Sequence, residues 1–374
     1  MKIDLQAVRN DTNFMVHEHF IGDTPVYLVQ PVHIGAAWSA NNLIFRSSVW
    51  TADGDPVSLS FKKFANFGEK PEVFPVPTSL NGCKLMEKID GSALIVSHFA
   101  SCVQGESTMK HHQVIRTRGT VDATKQDNGA EIEILKQKYP LAFNNSLLLG
   151  GGWSLVFEWC SPTNKIVLDY GPEPLLYLTA IISHHDYSYL PQHTLDDLAE
   201  DWGVLRPRHY KFDTIDEMLK SVEAFKGAEG ICVYYGDGQE ITKVKGAQYL
   251  MLHRMKSDVG SIEKVMDLWF SQGQPQYQDF MDFLEKTFDY EIMVMARGHV
   301  SKICDAWKEV EKILHGMRGF LLPMTMMGES RKIIAQKVLQ AYCETSRSSM
   351  VFAILDKKPL TVDQKKKLLF QCLK

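Results

Sequence analysis

Residues 87–92 read Glu87-Lys88-Ile89-Asp90-Gly91-Ser92, and the run SALIVSHF (92–99) begins on the last of them. Asn81-Gly82 stands just upstream as a turn signal. An apolar run bounded by turn residues predicts a strand. The Lys88 amine therefore sits on a tight turn at a strand start, where a glycine permits a ligand phosphate to come close. By itself the tetrapeptide Lys-x-Asp-Gly also describes a solvated surface turn.

Working outward, Phe157-Glu158-Trp159 lies in the strand-like run WSLVFEW, with Glu158 70 residues after Lys88. Glu229, 71 residues further on, stands in Ala228-Glu229-Gly230 at the opening of the run ICVYY. Gly236-Asp237-Gly238 then separates ICVYY from QEITKVK, a hairpin signal. In that second run Lys243 and Lys245 point to one face, because strand side chains repeat every second residue. Arg46 opens RSSVW, and Lys63 lies in FKKFANF. Two carboxylates and several cations in this order suit a nucleoside triphosphate with its divalent metal.

The chain has 374 residues, 45% hydrophobic and 23% charged, which excludes a disordered chain, a collagen and a coiled-coil rod. No apolar run reaches the ~18 residues of a membrane span, and MKIDLQAVRNDTNF lacks a signal-peptide layout. Seven scattered cysteines without CxxC indicate neither a zinc site nor a disulfide framework. A reduced, cytoplasmic protein is expected, in the host cytoplasm if the chain is viral. Net charge is −4, which argues against indiscriminate nucleic-acid binding. Residues 255–374 hold 18 Lys and Arg against 15 Asp and Glu; the preceding part holds 23 against 30. A polyanion site in that acidic part must be a local concentration of cations.

Short runs separated by Gly, Pro, Asn and Asp make residues 1–254 β-rich, with helices expected near 127–138 and 214–225. From about Met255 the period becomes helical: Ile303, Trp307, Val310, Leu314 and Met317 recur at spacings of 4, 3, 4 and 3. Thr361-x-x-Gln364 is a capping box opening a last helix. The expectation is an α+β domain followed by an all-α domain. Several eye-catching groups read as ordinary structure: Gly150-Gly151-Gly152 as a loop, and Met324, Met326 and Met327 as gap-filling core. His111-His112 and His184-His185-Asp186 read as polar loops, and Lys365-Lys366-Lys367 as a solvated helix face.

Lys88-x-Asp90-Gly91, Phe157-Glu158, Glu229-Gly230 and Lys243-x-Lys245 resemble, in order, the signature motifs of the covalent nucleotidyltransferases: DNA ligases, RNA ligases and mRNA capping enzymes. FEWCSPTNKIVLDY (157–170) is similar to a more specific segment of the phage tRNA-repair RNA ligases. FKKFANFGEKP (61–71) and IRTRGT (115–120) resemble two more of their segments. The resemblance covers roughly residues 30–254; the tail resembles that family only in size, position and helical content.

The resemblance implies an antiparallel-sheet, ATP-grasp-like nucleotidyltransferase domain over 1–254 and an α-helical RNA-specificity module over 255–374. It implies ATP-dependent joining of 5′-phosphate and 3′-hydroxyl RNA ends, as in repair of single strands or broken tRNA loops. The intermediates would be lysyl-AMP and RNA-adenylate, with Mg2+, or Mn2+ in its place, as the metal. Lys88 would be the nucleophile. A free lysine titrates near ~10.4, and lowering that to ~7 requires roughly 4–5 kcal/mol, from burial and nearby cations. Glu158 would contact the ribose or a metal-bound water, and Glu229 would organise the metal. Lys243 and Lys245 would contact the α-phosphate. Arg46, Lys63, Glu87, Gly91 and Arg118 would complete the nucleotide contacts, with Arg116 and Arg118 replacing a lysine pair and Tyr249 matching a functional tyrosine. Ala65 departs from the pattern where relatives carry a second phenylalanine, and no match to the acidic metal ligand after the last motif is found. No Arg-x-Asp-Lys motif in an OB-type domain follows Lys245, which argues against the rival reading, a DNA ligase or capping enzyme. A non-catalytic RNA-end-binding protein is the rival from another class.

Overall fold

The computed structural model describes residues 1–32, 36–102, 109–287, 290–342 and 345–373. The chain divides into two compact units, Met1–His253 and Arg254–Lys374.

Among the described residues the first unit carries twelve strands: β1 Phe14–Ile21, β2 Thr24–Pro31, β3 Ser48–Thr51, β4 Pro56–Ser58, β5 Lys84–Lys88, β6 Ser92–Cys102, β7 Met109–Arg116, β8 Trp153–Cys160, β9 Leu175–Ser183, β10 His209–Tyr210, β11 Gly230–Tyr235 and β12 Glu240–Lys245. They form three antiparallel four-stranded sheets, ordered β1-β2-β3-β4, β10-β5-β11-β12 and β7-β6-β8-β9. The chain is therefore α+β, as its pattern predicts. The β11–β12 turn contains Gly236, Asp237 and Gly238, all at positive φ, which is the backbone that this tripeptide favours.

Alternation divides β6 cleanly. Leu94 and Val96 enter a core with Phe157, Trp159 and Leu178, roofed by the helices Glu131–Lys138 and Gln192–Trp202. Ile95 faces the other way, into a core with Trp50, Met86, Val156, Ile182 and Tyr234 that draws on all three sheets. Each such side chain, once buried, contributes about 1.5–3 kcal/mol. The helix Ile215–Glu223 covers the second sheet through Met218 and Val222, with Thr214 capping its start.

Three expectations change in this unit. The helix Gln192–Trp202 is additional; its Leu195, Ala199 and Trp202 recur at helical spacing, and Gly203 ends it in a left-handed conformation. His111 and His112 lie within β7 rather than in a loop. His184 is buried, with Nε2 2.7 Å from Ser154 Oγ, because the N-terminal ammonium and strand β8 close over it.

The second unit is helical: Ile262–Ser271, Tyr277–Thr287, Tyr290–Met326, Arg331–Ala341, Thr345–Leu355 and Val362–Cys372. Ile303, Val310, Leu314 and Met317 are buried along the longest helix, and Trp307 packs edge-on to Trp269 at 5.2 Å. Thr361 and Gln364 form the expected capping box. Met324 is buried, but Met326 and Met327 are 79% and 77% exposed at the helix end, so the Met run is not core throughout. Within the triple lysine only Lys367 is exposed; Lys366 pairs with Asp267 at 2.6 Å, which draws that face inward. No described helix is long and apolar enough to cross a membrane. Cys83, Cys160, Cys232, Cys304 and Cys372 are free thiols, while Cys343 lies outside the described residues.

Candidate active site

Register builds the site. Gly230 lies opposite Lys88 on one side and Lys245 on the other; Cys232 lies opposite Met86 and Lys243. Alternation then puts Met86, Lys88, Cys232, Lys243 and Lys245 on one face of the second sheet. They line a cavity of about 500 Å³ whose other wall includes Ala93 and Glu158 of the third sheet. Ala93 and Glu158 are themselves a register pair.

Glu229, 2% exposed, is the hinge of the arrangement. Its Oε2 accepts from Lys88 Nζ at 2.9 Å, and its Oε1 pairs with Lys245 Nζ at 2.7 Å. Gly230 must follow it bare: a Cβ there would stand 2.0 Å from the Val244 carbonyl oxygen. Gly91 is bare for a related reason. A Cβ would meet the Trp159 carbonyl oxygen at 2.6 Å and Glu158 Cγ at 3.1 Å. The close approach that its glycine permits is that of strand β8.

Asp90, 3% exposed, ties three elements together. Its Oδ2 accepts from the Val167 and Leu168 amides at 2.7 and 2.8 Å, and its Oδ1 accepts from Tyr249 Oη at 2.7 Å. Its own amide donates to Tyr170 Oη at 2.9 Å. The segment between Ser161 and Gly171 is thereby bound to the Lys88 turn, and its Asn164 and Ile166 reach the cavity. The same segment is anchored from below. Trp159 Nε1 and Ser161 Oγ both donate to the buried Glu131 carboxylate at 2.9 Å, and Thr163 donates there as well. This is the physical content of the WCSPTN string. Glu131→Ala would take the acceptor from two buried donors, Trp159 and Ser161, at about 1–3 kcal/mol each. It should lower Tm measurably, as thermal unfolding followed by circular dichroism would report.

Cations line the wall around Phe64. The Arg46 guanidinium lies 5.1 Å and Lys243 Nζ 5.4 Å from that ring's centroid, and Lys245 Nζ stands 4.9 Å over Tyr249. Such contacts supply some of the stabilisation that crowded cations lack. Burial, then Arg46 and the neighbouring lysines, pushes Lys243 down to about 8. Burial and then Arg118 bring Arg46 down to about 10. Glu158 is pushed up to about 7 by burial, with Glu229 adding to the rise against Lys88. Lys88 goes the other way from the expectation. Burial lowers it, but Glu229 and Glu158 together outweigh burial, and it ends above the ordinary lysine value. The structure therefore holds Lys88 as an ammonium.

Of the residues expected at a site, the cavity brings together Arg46, Glu87, Lys88, Gly91, Arg118, Glu158, Glu229, Lys243, Lys245 and Tyr249. Lys63 stands beside it, its Nζ 5.9 Å over Trp38. Arg116 is elsewhere, wholly buried. Phe61, Phe64, Cys232 and Asn164 line the cavity without having been singled out. Alternation from Lys243 or Lys88 gives none of them, because they come from other elements.

A crowd of like charges costs stability. Lys243 titrates lower in the folded chain than unfolded, so its charge is a penalty, complete below about 8 and relieved as pH rises toward the unfolded value. Lys243→Met should therefore raise Tm at pH 7 by roughly 2–4 °C per kcal/mol recovered. That gain should shrink between about pH 8 and 10.5. An unchanged Tm at pH 7 would show that the ring contact already compensates the charge.

The RNA ligase family model matches residues 46–259. A candidate RNA ligase of Thermovibrio ammonificans is 27% identical over 208 residues, covering 54% of this chain. That match spans 50% of the relative's own length. Among solved structures, an archaeal ATP-dependent RNA ligase superposes with a TM-score of 0.46 at 13% identity, over 80% of this chain and 78% of that one. An RNA ligase of Naegleria gruberi gives a TM-score of 0.37 at 12% identity, over 60% of this chain and 65% of that one.

Proposed function

The chain belongs to the RNA ligase family, and we propose that it is an ATP-dependent ligase that joins 5′-phosphate and 3′-hydroxyl RNA ends with Lys88 as its nucleophile. The observation that carries this reading is the Lys88–Glu229–Lys245 bridge on a cavity wall rich in cations. Arg46, Lys243 and Arg118 share that wall, the charge pattern that a triphosphate needs.

Three in-line phosphoryl transfers follow from this assignment. Lys88 Nζ attacks the α-phosphorus of ATP, and pyrophosphate leaves. A 5′-phosphate oxygen of the RNA then attacks the same phosphorus and Lys88 leaves. Finally the 3′-hydroxyl attacks the 5′-phosphorus and AMP leaves. Such transfers require positioning and positive charge above all. Lys243, Lys245 and Arg46 supply both. Mg2+, or Mn2+ in its place, fits a donor set of one or two carboxylates with substrate phosphates. Glu229 supplies such a carboxylate, and no group of three or more candidate ligands is found among the described residues. Such a metal would neutralise phosphate charge and help the leaving group.

Before Lys88 can attack it must lose a proton. Glu158, at about 7, exchanges protons near neutrality, and we assign it as the acceptor. The first step should then have a bell-shaped pH profile. The acid limb follows deprotonation of Glu158 near 7; the alkaline limb follows loss of the Lys243 charge near 8. Lys243→Arg should carry the alkaline limb upward, and a limb that stays in place removes Lys243 from that role.

Incubation with α-labelled ATP and a divalent metal, followed by a denaturing gel, tests the whole reading. Label retained on the chain supports it; label only from GTP would indicate a capping-type enzyme. No label after pyrophosphate treatment would indicate an RNA-end-binding protein.

The second unit carries the less acidic charge balance, and sequence-independent phosphate contacts are drawn to such a surface. We assign residues 255–374 to RNA choice, with a broken tRNA loop as the substrate class. This rests on the resemblance of residues 157–170 to tRNA-repair ligases. Truncation after Gly260 keeps the whole helix Ala247–Val259 and every cavity residue. It should spare adenylation and reduce sealing of a broken loop more than sealing of a short single strand. Equal losses on both would make the unit a buttress.

A further inference from the structure

Arg116 is fully buried, and its described hydrogen-bond partners are hydroxyls and carbonyls alone. Nε donates to Ser58 Oγ at 2.8 Å; Nη1 donates to Ser47 Oγ at 2.9 Å and to the Thr117 carbonyl at 3.0 Å. Nη2 donates to the Ser47 and Ser58 carbonyls at 3.2 and 3.0 Å. Five contacts match the five N–H groups of a guanidinium. Desolvating that charge is expensive, and an apolar side chain of similar volume would fill the space at less cost. The contacts therefore have to account for it.

Three of the five, those to Ser47 and Thr117, share one property. Ser47 follows Arg46 in the chain, Thr117 precedes Arg118, and both arginines line the cavity. Ser47 Oγ also donates to the Arg118 carbonyl at 2.9 Å. Arg116 and Ser47 thus staple the backbone carrying one cavity cation to the backbone carrying the other. Those cations repel: after burial, Arg118 is the largest influence that lowers Arg46. Unheld, the two segments would relieve that repulsion by moving apart.

We propose that Arg116 is a positioning residue that fixes Arg46 and Arg118 as a preformed pair for a polyphosphate chain. This gives a defined part to Arg116, for which the resemblance implies only the replacement of a lysine. The staple rests on the proposed nucleotide site for its biological meaning, while its physical effect is measurable with inorganic tripolyphosphate alone.

Ser47→Ala removes the shared hydroxyl and no charge, so it is the primary variant. Tripolyphosphate binding, by calorimetry well below Tm, should weaken roughly ten- to a hundredfold. KM for ATP should rise in parallel, with kcat changed far less. Arg116→Lys, which cannot span the same acceptors, should show the same pattern more strongly. In an Arg118→Ala background, Ser47→Ala should add little, since the staple would have lost the group it acts through. Unchanged tripolyphosphate affinity in folded Ser47→Ala overturns the proposal, as does full additivity with Arg118→Ala. A wild-type chain that binds tripolyphosphate but never forms an adenylate would sink the ligase reading while leaving the staple standing.

Discussion

Lys88→Ala should reduce ATP-driven labelling and sealing of 5′-phosphate RNA to background, yet keep measurable sealing of RNA that is already 5′-adenylated. The asymmetry follows from what leaves and what attacks. In the first two steps Lys88 Nζ is the nucleophile and then the leaving group; in the third the 3′-hydroxyl attacks and AMP departs, with no bond to lysine. Lys88 also neutralises Glu229 at 2.9 Å, so the third step will be slowed, though not stopped. A conservative Lys88→Arg keeps that charge. It should remain inactive in the first step, because a guanidinium does not deprotonate. Its sealing of pre-adenylated RNA should exceed that of Lys88→Ala. Labelling of Lys88→Ala at wild-type rate would remove Lys88 from the chemistry. Equal third-step rates in the two variants would mean that its charge does not support Glu229.

The parts of this site differ in how far the chain alone discloses them. Lys243 and Lys245 are two apart in one strand, so alternation is enough to put them on one face. Lys88 and Glu229 are 141 residues apart, and their contact depends on the β5–β11 register, which no local pattern contains. The direction of the Lys88 shift is hidden for the same reason: composition shows many cations nearby, whereas only the fold puts two carboxylates closer still. Arg116 and Arg118 stand two apart like the lysine pair, yet β7 ends at Arg116 and alternation stops there. One guanidinium turns into the core and the other stays exposed. Asp90 reads as half of a turn, and the three partners of its carboxylate become visible only when the loop after β8 and the helix Ala247–Val259 are in place.

Glu229→Gln should cost ligation about 10²–10³-fold, the usual loss when one preorganised charge leaves an active site. It should also make Lys88 more reactive toward an external amine reagent at neutral pH, although catalysis is worse. The two effects have one origin. Glu229 raises Lys88 and pairs with Lys245; without its charge, burial lowers Lys88 with less to oppose it. The Lys88 amine then loses its proton more readily, while Lys88 and Lys245 lose the anchor that sets their spacing around Gly230. Stability should follow the same linkage. Because Lys88 titrates higher folded than unfolded, its contribution is complete below the unfolded value of ~10.4. It is lost as pH rises through the still higher folded value. The part of the Glu229→Gln Tm deficit that comes from Lys88 should accordingly be constant through the neutral range and narrow only in strong alkali. Parallel falls in Lys88 reactivity and in ligation would point to general collapse of the site. Raised reactivity with lost ligation would identify Glu229 as the group that keeps the nucleophile positioned at the expense of its deprotonation.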